Sequence, residues 1–255
     1  MHELFLSSVI KEDEVPKILA LIGGFTEMRE RHQFTRVQHF EPSPAVKGLA
    51  TIKDLQKERN ISVPHWTELH QILVKQPCTI QLRTRITDSE MDTAKKGEAV
   101  TIPHDRHRLL RWTELPDPPS QRLPPYITQR KTVEIIDTRL EKILAENKFT
   151  RVSNIFDESY HWWQADYTEF ALTRTWIAED SLPADKVMNL AVQEPYAPYW
   201  MLNVRTLVES SPERMQQAQT QLEKVRDQFR DVLDFKVFDR RAMDTRILPV
   251  NGSVV

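Results

Sequence analysis

The sequence predicts a mixed α+β chain, mostly β, in which a sheet or barrel carries packed helices. Three observations lead there. Residues 149–177, FTRVSNIFDESYHWWQADYTEFALTRTWI, are rich in aromatic and β-branched side chains, lack Gly and Pro, and hold half of the six tryptophans; that is strand composition. Residues 199–209 alternate, with Trp200, Leu202, Val204 and Val208 on one face and Asn203, Arg205 and Glu209 on the other. Residues 211–233 place Met215, Ala218, Leu222, Val225, Phe229 and Val232 at spacings of three and four, the apolar stripe of a helix. Large side chains gathered in strands, with long helices elsewhere, call for helices laid on a sheet.

The elements follow in order. Residues 2–10, HELFLSSVI, read as a first strand. Residues 14–22 carry Val15, Ile18, Leu19 and Ile22 on one helical face, with Pro16 in the first turn and Gly23-Gly24 as the stop. Residues 33–40 are a strand; Pro42, Pro44 and Gly48 mark a loop. Residues 64–74 form a helix with Trp66, Leu69 and Leu73 on one side. In 78–86, Cys78, Ile80, Leu82, Thr84 and Ile86 oppose Thr79, Gln81, Arg83 and Arg85, a strand with one wet face. Residues 88–105 are polar and read as a loop, followed by a short strand over 107–115. Five prolines between 116 and 125 make an extended connector. A strand over 131–136 precedes a helix capped by Asp137 and stopped by Asn147. The polar triplet Asp157-Glu158-Ser159 is the expected turn of the central hairpin. Ser211 and Pro212 open the long helix, which at 1.5 Å per residue spans roughly 33 Å, and residues 235–238 are a last strand.

Composition narrows the function classes. A formal charge of −2 over 255 residues gives no global pull toward nucleic acid or anionic lipid. One cysteine, Cys78, excludes an internal disulfide and a cysteine-rich zinc site, and fits a reducing compartment. No apolar run approaches the roughly 20 residues of a membrane helix, and no secretory leader is visible in residues 1–14. Five glycines form no phosphate loop. Cys78 reads as a buried small hydrophobe, His104-Asp105-His107 as a solvated loop, Glu12-Asp13-Glu14 as an acidic helix start, and Arg240, Arg241, Asp244 and Arg246 as a charge network pinning the chain end. No cofactor and no metal is expected.

Trp162 and Trp163 are adjacent, so a strand sends them to opposite faces. One belongs to a core; the other needs a helix of this chain or a partner above it. Trp162, Trp163, Trp176 and Trp200 are the candidate partner-binding residues, because exposed aromatic side chains anchor interfaces.

The opening MHELFLSSVI with its immediate helix, the closing FKVFDRRAMDTRI after a long helix, and a helix leading into a long aromatic hairpin resemble the family of subunit 18 of the Mediator of RNA polymerase II transcription, in its filamentous-fungal form. Asp239-Arg240, Met243-Asp244 and Arg246 carry the resemblance; residues 42–130 add little, and Asp157-Glu158-Ser159 departs from the glycine expected at the hairpin turn. The resemblance implies an antiparallel multi-stranded β-barrel with packed helices and one long helix near the C-terminus. The residues themselves read as a single domain over 1–255, with mobile loops near 42–62, 88–106 and 115–128. The resemblance further implies a non-catalytic nuclear scaffold that pairs with Mediator subunit 20, is tethered by a C-terminal helix of Mediator subunit 8, and belongs to the head module. The rival class is a metal-dependent triphosphatase of the tunnel type, whose barrel is similar. It needs several carboxylates converging from strands onto one metal. The sequence offers at most one carboxylate per strand face: Glu3, Glu134, Glu169 and Glu209.

Overall fold

A computed structural model describes residues 1–57, 62–96, 102–103, 106–119, 123–177 and 195–247. The strands are β1 (His2–Lys11), β2 (Arg31–Pro42), β3 (Ile80–Ile86), β4 (Arg108–Thr113), β5 (Thr128–Asp137), β6 (Phe149–Trp163), β7 (Glu169–Ile177) and β8 (Tyr199–Val208). They close into an antiparallel barrel in the order β1-β5-β4-β3-β2-β6-β7-β8. The described helices are α1 (Val15–Thr26), α2 (Ile52–Lys57), α3 (Val63–Lys75), α4 (Asp88–Lys95), α5 (Leu140–Glu146) and α6 (Pro212–Phe229).

The apolar faces of the strands point outward. Leu4 and Leu6 of β1, Trp162 of β6, Phe170 and Leu172 of β7, and Leu202 and Val204 of β8 form one layer with Ile18 and Ile22 of α1 and Leu222, Val225 and Phe229 of α6. Across the barrel, Ile80, Leu82, Leu110, Trp112, Val133 and Ile135 form a second layer beneath Trp66, Leu69 and Leu73 of α3 and Leu140, Ile143 and Leu144 of α5. The alternate residues, many of them charged, therefore fill the lumen. In β3 the two faces are those the alternation gives. The polar one, expected to be wet, is the inside of the barrel, because helices take up the apolar one.

Several boundaries move. β6 runs unbroken through Asp157, Glu158 and Ser159, so the expected turn there is corrected. The chain reverses at 164–168 instead, where Gln164 N donates to Thr168 O at 2.9 Å and Tyr167 takes φ 66°. A polar triplet does not break a strand when its side chains have partners on both faces. α1 continues through Gly23 and Gly24 to Thr26, and Glu27 at φ 54° ends it. Residues 235–238 are not a strand, although Lys236 N donates to Ser7 O at 2.9 Å. Part of the expected 88–105 loop is α4, and 52–57 is helical; 58–61, 97–101, 104–105 and 120–122 lie outside the described residues, as do 178–194 and 248–255. α6 has 18 residues and ends at Phe229, so it is roughly 27 Å long.

Candidate functional site

Within the lumen, Glu3 accepts from three arginines on three neighbouring strands: Arg111 at 2.6 Å, Arg130 at 2.6 Å and Arg205 at 3.0 Å. Burial alone would raise its carboxyl, but the three guanidinium charges outweigh burial and hold it well below the usual range. Arg205 also donates to Glu169 at 2.7 Å, and His161 Nδ1 meets the other Glu169 oxygen at 2.7 Å. Against burial, His161 and Arg205 bring Glu169 down to about 2. Asp157 receives Arg83 at 3.1 Å and Thr175 at 3.0 Å. Because β3 and β6 flank β2 in the barrel order, the Arg83–Asp157 pair bridges the concave face. Arg111 Nε lies 3.3 Å from Glu134.

The structure thus brings Glu3, Glu134 and Glu169 onto one lumen, together with Asp157, a convergence that counting carboxylates per strand missed. Glu209 is exposed beyond β8. The lumen acids are engaged by arginines, which occupy the lone pairs a cation needs. Among the described residues no group of three or more His, Cys, Asp or Glu is placed to hold a metal ion. Glu12, Asp13 and Glu14 form a 3-10 turn before α1, outside the lumen. The lumen is a self-neutralised polar interior that ties strands together.

On the outer face of β6, β7 and β8, Glu158 accepts from His32 at 3.1 Å, Arg174 at 2.8 Å and Trp176 Nε1 at 3.2 Å. The Arg174 guanidinium lies 4.8 Å from the Trp176 ring centroid and 4.5 Å from that of Trp200, a cation–π stack. Glu12 closes the ledge, accepting from Arg174 at 3.1 Å and from Trp200 Nε1 at 2.8 Å. Glu158 and Arg174 face one another in register. Sequence reasoning missed the pair because it placed a turn at Glu158.

The four tryptophans separate into two kinds. Trp162 is fully buried in the layer shared with α1 and α6, and Trp200 is buried beside it. Expected as exposed anchors, both are covered by elements of this chain, since α1 and the Glu12–Arg174 bridge lie over their faces. Trp163 is half-buried at the β6–β7 end of the barrel, stacked on His161 at 5.6 Å. Trp176 is half-buried on the ledge.

The remaining candidates are structural. Cys78 is buried, and burial pushes its thiol up, which makes it a poor nucleophile. Arg246 is chelated by Asp244 at 2.7 Å, and the segment is fastened under the barrel by Thr79 N to Thr245 O at 2.7 Å and Ile247 N to Pro77 O at 3.0 Å. Of the expected charge network, the Arg246–Asp244 pair is present, and backbone hydrogen bonds do the pinning. Of the His104-Asp105-His107 cluster, His104 and Asp105 lie outside the described residues.

One chain of the Schizosaccharomyces pombe Mediator head module has a similar fold, with TM-score 0.62 and 13% identity over 97% of this chain and 100% of that one. HpAC1 from Hippeastrum, described as having a dominant triphosphatase activity, superposes at TM-score 0.44 with 8% identity over 98% and 99% of the two chains. PH1819 from Pyrococcus horikoshii OT3 superposes at 0.45 with 10% identity over 94% and 97%. These last two fits carry no argument. A direct search of curated protein sequences finds no match. The family model described as Med18 protein matches residues 2–246. That match spans nearly the whole sequence, and the chain belongs to the Med18 protein family.

Proposed function

We propose that this chain is the subunit-18 component of the Mediator head module, in its filamentous-fungal form. In this reading it is a non-catalytic coactivator scaffold that works in the nucleus by protein–protein binding. The observation that carries the reading is the family match over residues 2–246. The barrel's chemistry supports it, since the lumen acids are spent on arginines and the apolar strand faces on helices. Mediator subunit 20 is the expected sister barrel, and a C-terminal helix of subunit 8 the expected tether. Trp163 and Trp176 are offered as partner-facing residues, with Trp162 and Trp200 supporting them from beneath. In this reading the chain, 1–255, is a single β-barrel domain with mobile loops near 42–62, 88–106 and 115–128.

Co-expression with and without subunits 8 and 20, followed by size exclusion, tests this. Co-migration with both is expected; a folded chain that elutes alone beside either overturns the assignment. Incubation with nucleoside triphosphate and manganese or magnesium is expected to release no phosphate above background. Turnover abolished by Glu12→Ala would reverse the non-catalytic reading.

A further inference from the structure

The lumen neutralises itself as a whole, but not evenly along its length. At one end residues 242–245 cross the strands, and a cavity of about 360 Å³ lies beneath them, with Gln81 of β3, Arg111 and Thr113 of β4 and Arg130 of β5 in its wall. Glu3 is a single carboxylate shared by Arg111, Arg130 and Arg205. Arg205 has a second acid in Glu169. Among the described residues Arg130 has no other. Its Nε takes Glu3 at 2.6 Å, the Phe5 ring centroid lies 4.9 Å from its guanidinium carbon, and Nη1 donates only to the Met243 thioether at 4.0 Å. A ring covers the face of a guanidinium and leaves its in-plane N–H groups unused, and a thioether is a weak acceptor. Arg111 is buried, and its Nη2 takes Glu3 at 2.6 Å. Its Nε, 3.3 Å from Glu134, makes no hydrogen bond among the described residues.

The other charged groups in this wall have partners. Asp244 is chelated by Arg246 at 2.7 Å, and His39 is engaged by Ser153 at 2.8 Å and Gln81 at 3.2 Å. Burial, only partly offset by Glu3, holds Arg130 below the usual arginine range, the mark of a cation short of counter-charge. Water can fill such a space without supplying that charge. Two arginines with unused N–H groups in one cavity wall, beside amide and hydroxyl groups, suit a tetrahedral oxyanion, whose oxygens match the planar fork two at a time.

We propose that this cavity binds a small tetrahedral oxyanion of the phosphate class, held between Arg111 and Arg130, and that the bound ion fastens residues 242–245 to the barrel. The site is independent of the scaffold reading, and either can fail alone. Thermal melting of the full-length chain at fixed pH and ionic strength, with sodium phosphate exchanged for sodium chloride, tests it. The melting temperature is expected to rise and to saturate, as a bound ligand requires. Over the same concentrations the amide of Thr79, which donates to Thr245 O at 2.7 Å, is expected to exchange more slowly. A rise that never saturates, or no rise, overturns the site. Arg130→Gln is expected to weaken the phosphate response by about tenfold or more. Because that change also strips Glu3 of a partner, Met243→Glu gives a second measurement. It tethers a carboxylate beside Arg130, so this variant is expected to melt above the parent without phosphate and to lose the phosphate response. Should Arg130→Gln fail to fold, Met243→Glu decides. A Met243→Glu chain that melts below the parent, or a phosphate response unchanged in either variant, overturns the proposal. Phenyl phosphate separates the two sources of such an ion: a response to inorganic phosphate alone marks a free ion, and an equal response to the ester marks a phosphate group carried on a larger molecule.

Discussion

Arg205 joins two acids, Glu3 and Glu169, in a lumen where neither can be rehydrated cheaply. Cutting one member of a buried ion-pair network leaves a charge without its partner, at a cost of about 3–5 kcal/mol. Arg205→Leu is therefore expected to lose that much in a urea titration, whereas disrupting the exposed Lys57–Asp54 pair at 3.0 Å by Lys57→Ala stays within about 0.5 kcal/mol. The same acids set the pH response. Glu169 falls from 4.5 unfolded to about 2 folded, so it binds its proton more readily when unfolded. Its contribution, on the order of 3 kcal/mol, is complete above about pH 4.5 and disappears as pH falls through about 2. Glu3 shifts in the same direction. Chemical-denaturation stability is expected to fall steeply between those pH values, and less steeply in Glu169→Gln. Gly24 and Gly48 make a further contrast. Nothing lies within 4 Å of a Cβ at helical Gly24, so Gly24→Ala is expected to stabilise by about 0.5–1 kcal/mol. At Gly48, φ is 71° and a Cβ would stand 2.7 Å from His70 Nδ1, the atom that accepts from Leu49 N at 2.9 Å. Gly48→Ala is expected to lower the melting temperature.

α6 shows how an element is specified at its start and along one face. Ser211 Oγ accepts from Arg214 N at 3.2 Å, and Ser211→Ala is expected to cost about 1 kcal/mol. Leu222 is fully buried and Val232 is 43% exposed, so Leu222→Ala is expected to cost about 2–5 kcal/mol and Val232→Ala almost nothing, by the same melt. The apolar stripe of this helix was legible because a 3.6-residue period leaves few alternatives. β6 was less so. Its triplet Asp157-Glu158-Ser159 has turn composition, and only the neighbouring strands, with Arg83 inside and Arg174 outside, explain why it stays extended. Gly23-Gly24 misled in the same way: glycine stops a helix where the chain must turn, and here the left-handed turn comes three residues later, at Glu27.

At the scale of the molecule, the chain closes a ring of strands and then returns to its start. After α6 the backbone passes Ser7, crosses below the barrel and hydrogen-bonds at residues 245–247 to residues 77–79 and to Thr113 O. Met243 reaches Arg130 there, at 4.0 Å. Truncation after Asp239 is expected to lower the melting temperature and to loosen the amide protection of Thr79, since that donor loses its acceptor. The two apolar layers lie on opposite outer sides, so the barrel is held by what wraps it as much as by its ladders. This architecture leaves the lumen free to be charged. It also leaves Trp163 half-buried at a rim and Trp176 half-buried on the outer ledge.

What the sequence determined by itself was local. Alternation in β3 and β8, the stripes of α1, α3 and α6, the cap at Ser211 and the identity carried by the chain's ends all follow from neighbours within a few residues. The tertiary structure alone decided which side of each strand is inside. A two-residue period sorts side chains into two sets without saying which set faces a helix, and in this barrel the polar set is enclosed. It also decided that Trp162 and Trp200 are covered and that Glu3, Glu134, Asp157 and Glu169 share one space. Each of these depends on closure and register between strands far apart in the chain, and no local pattern encodes such distances.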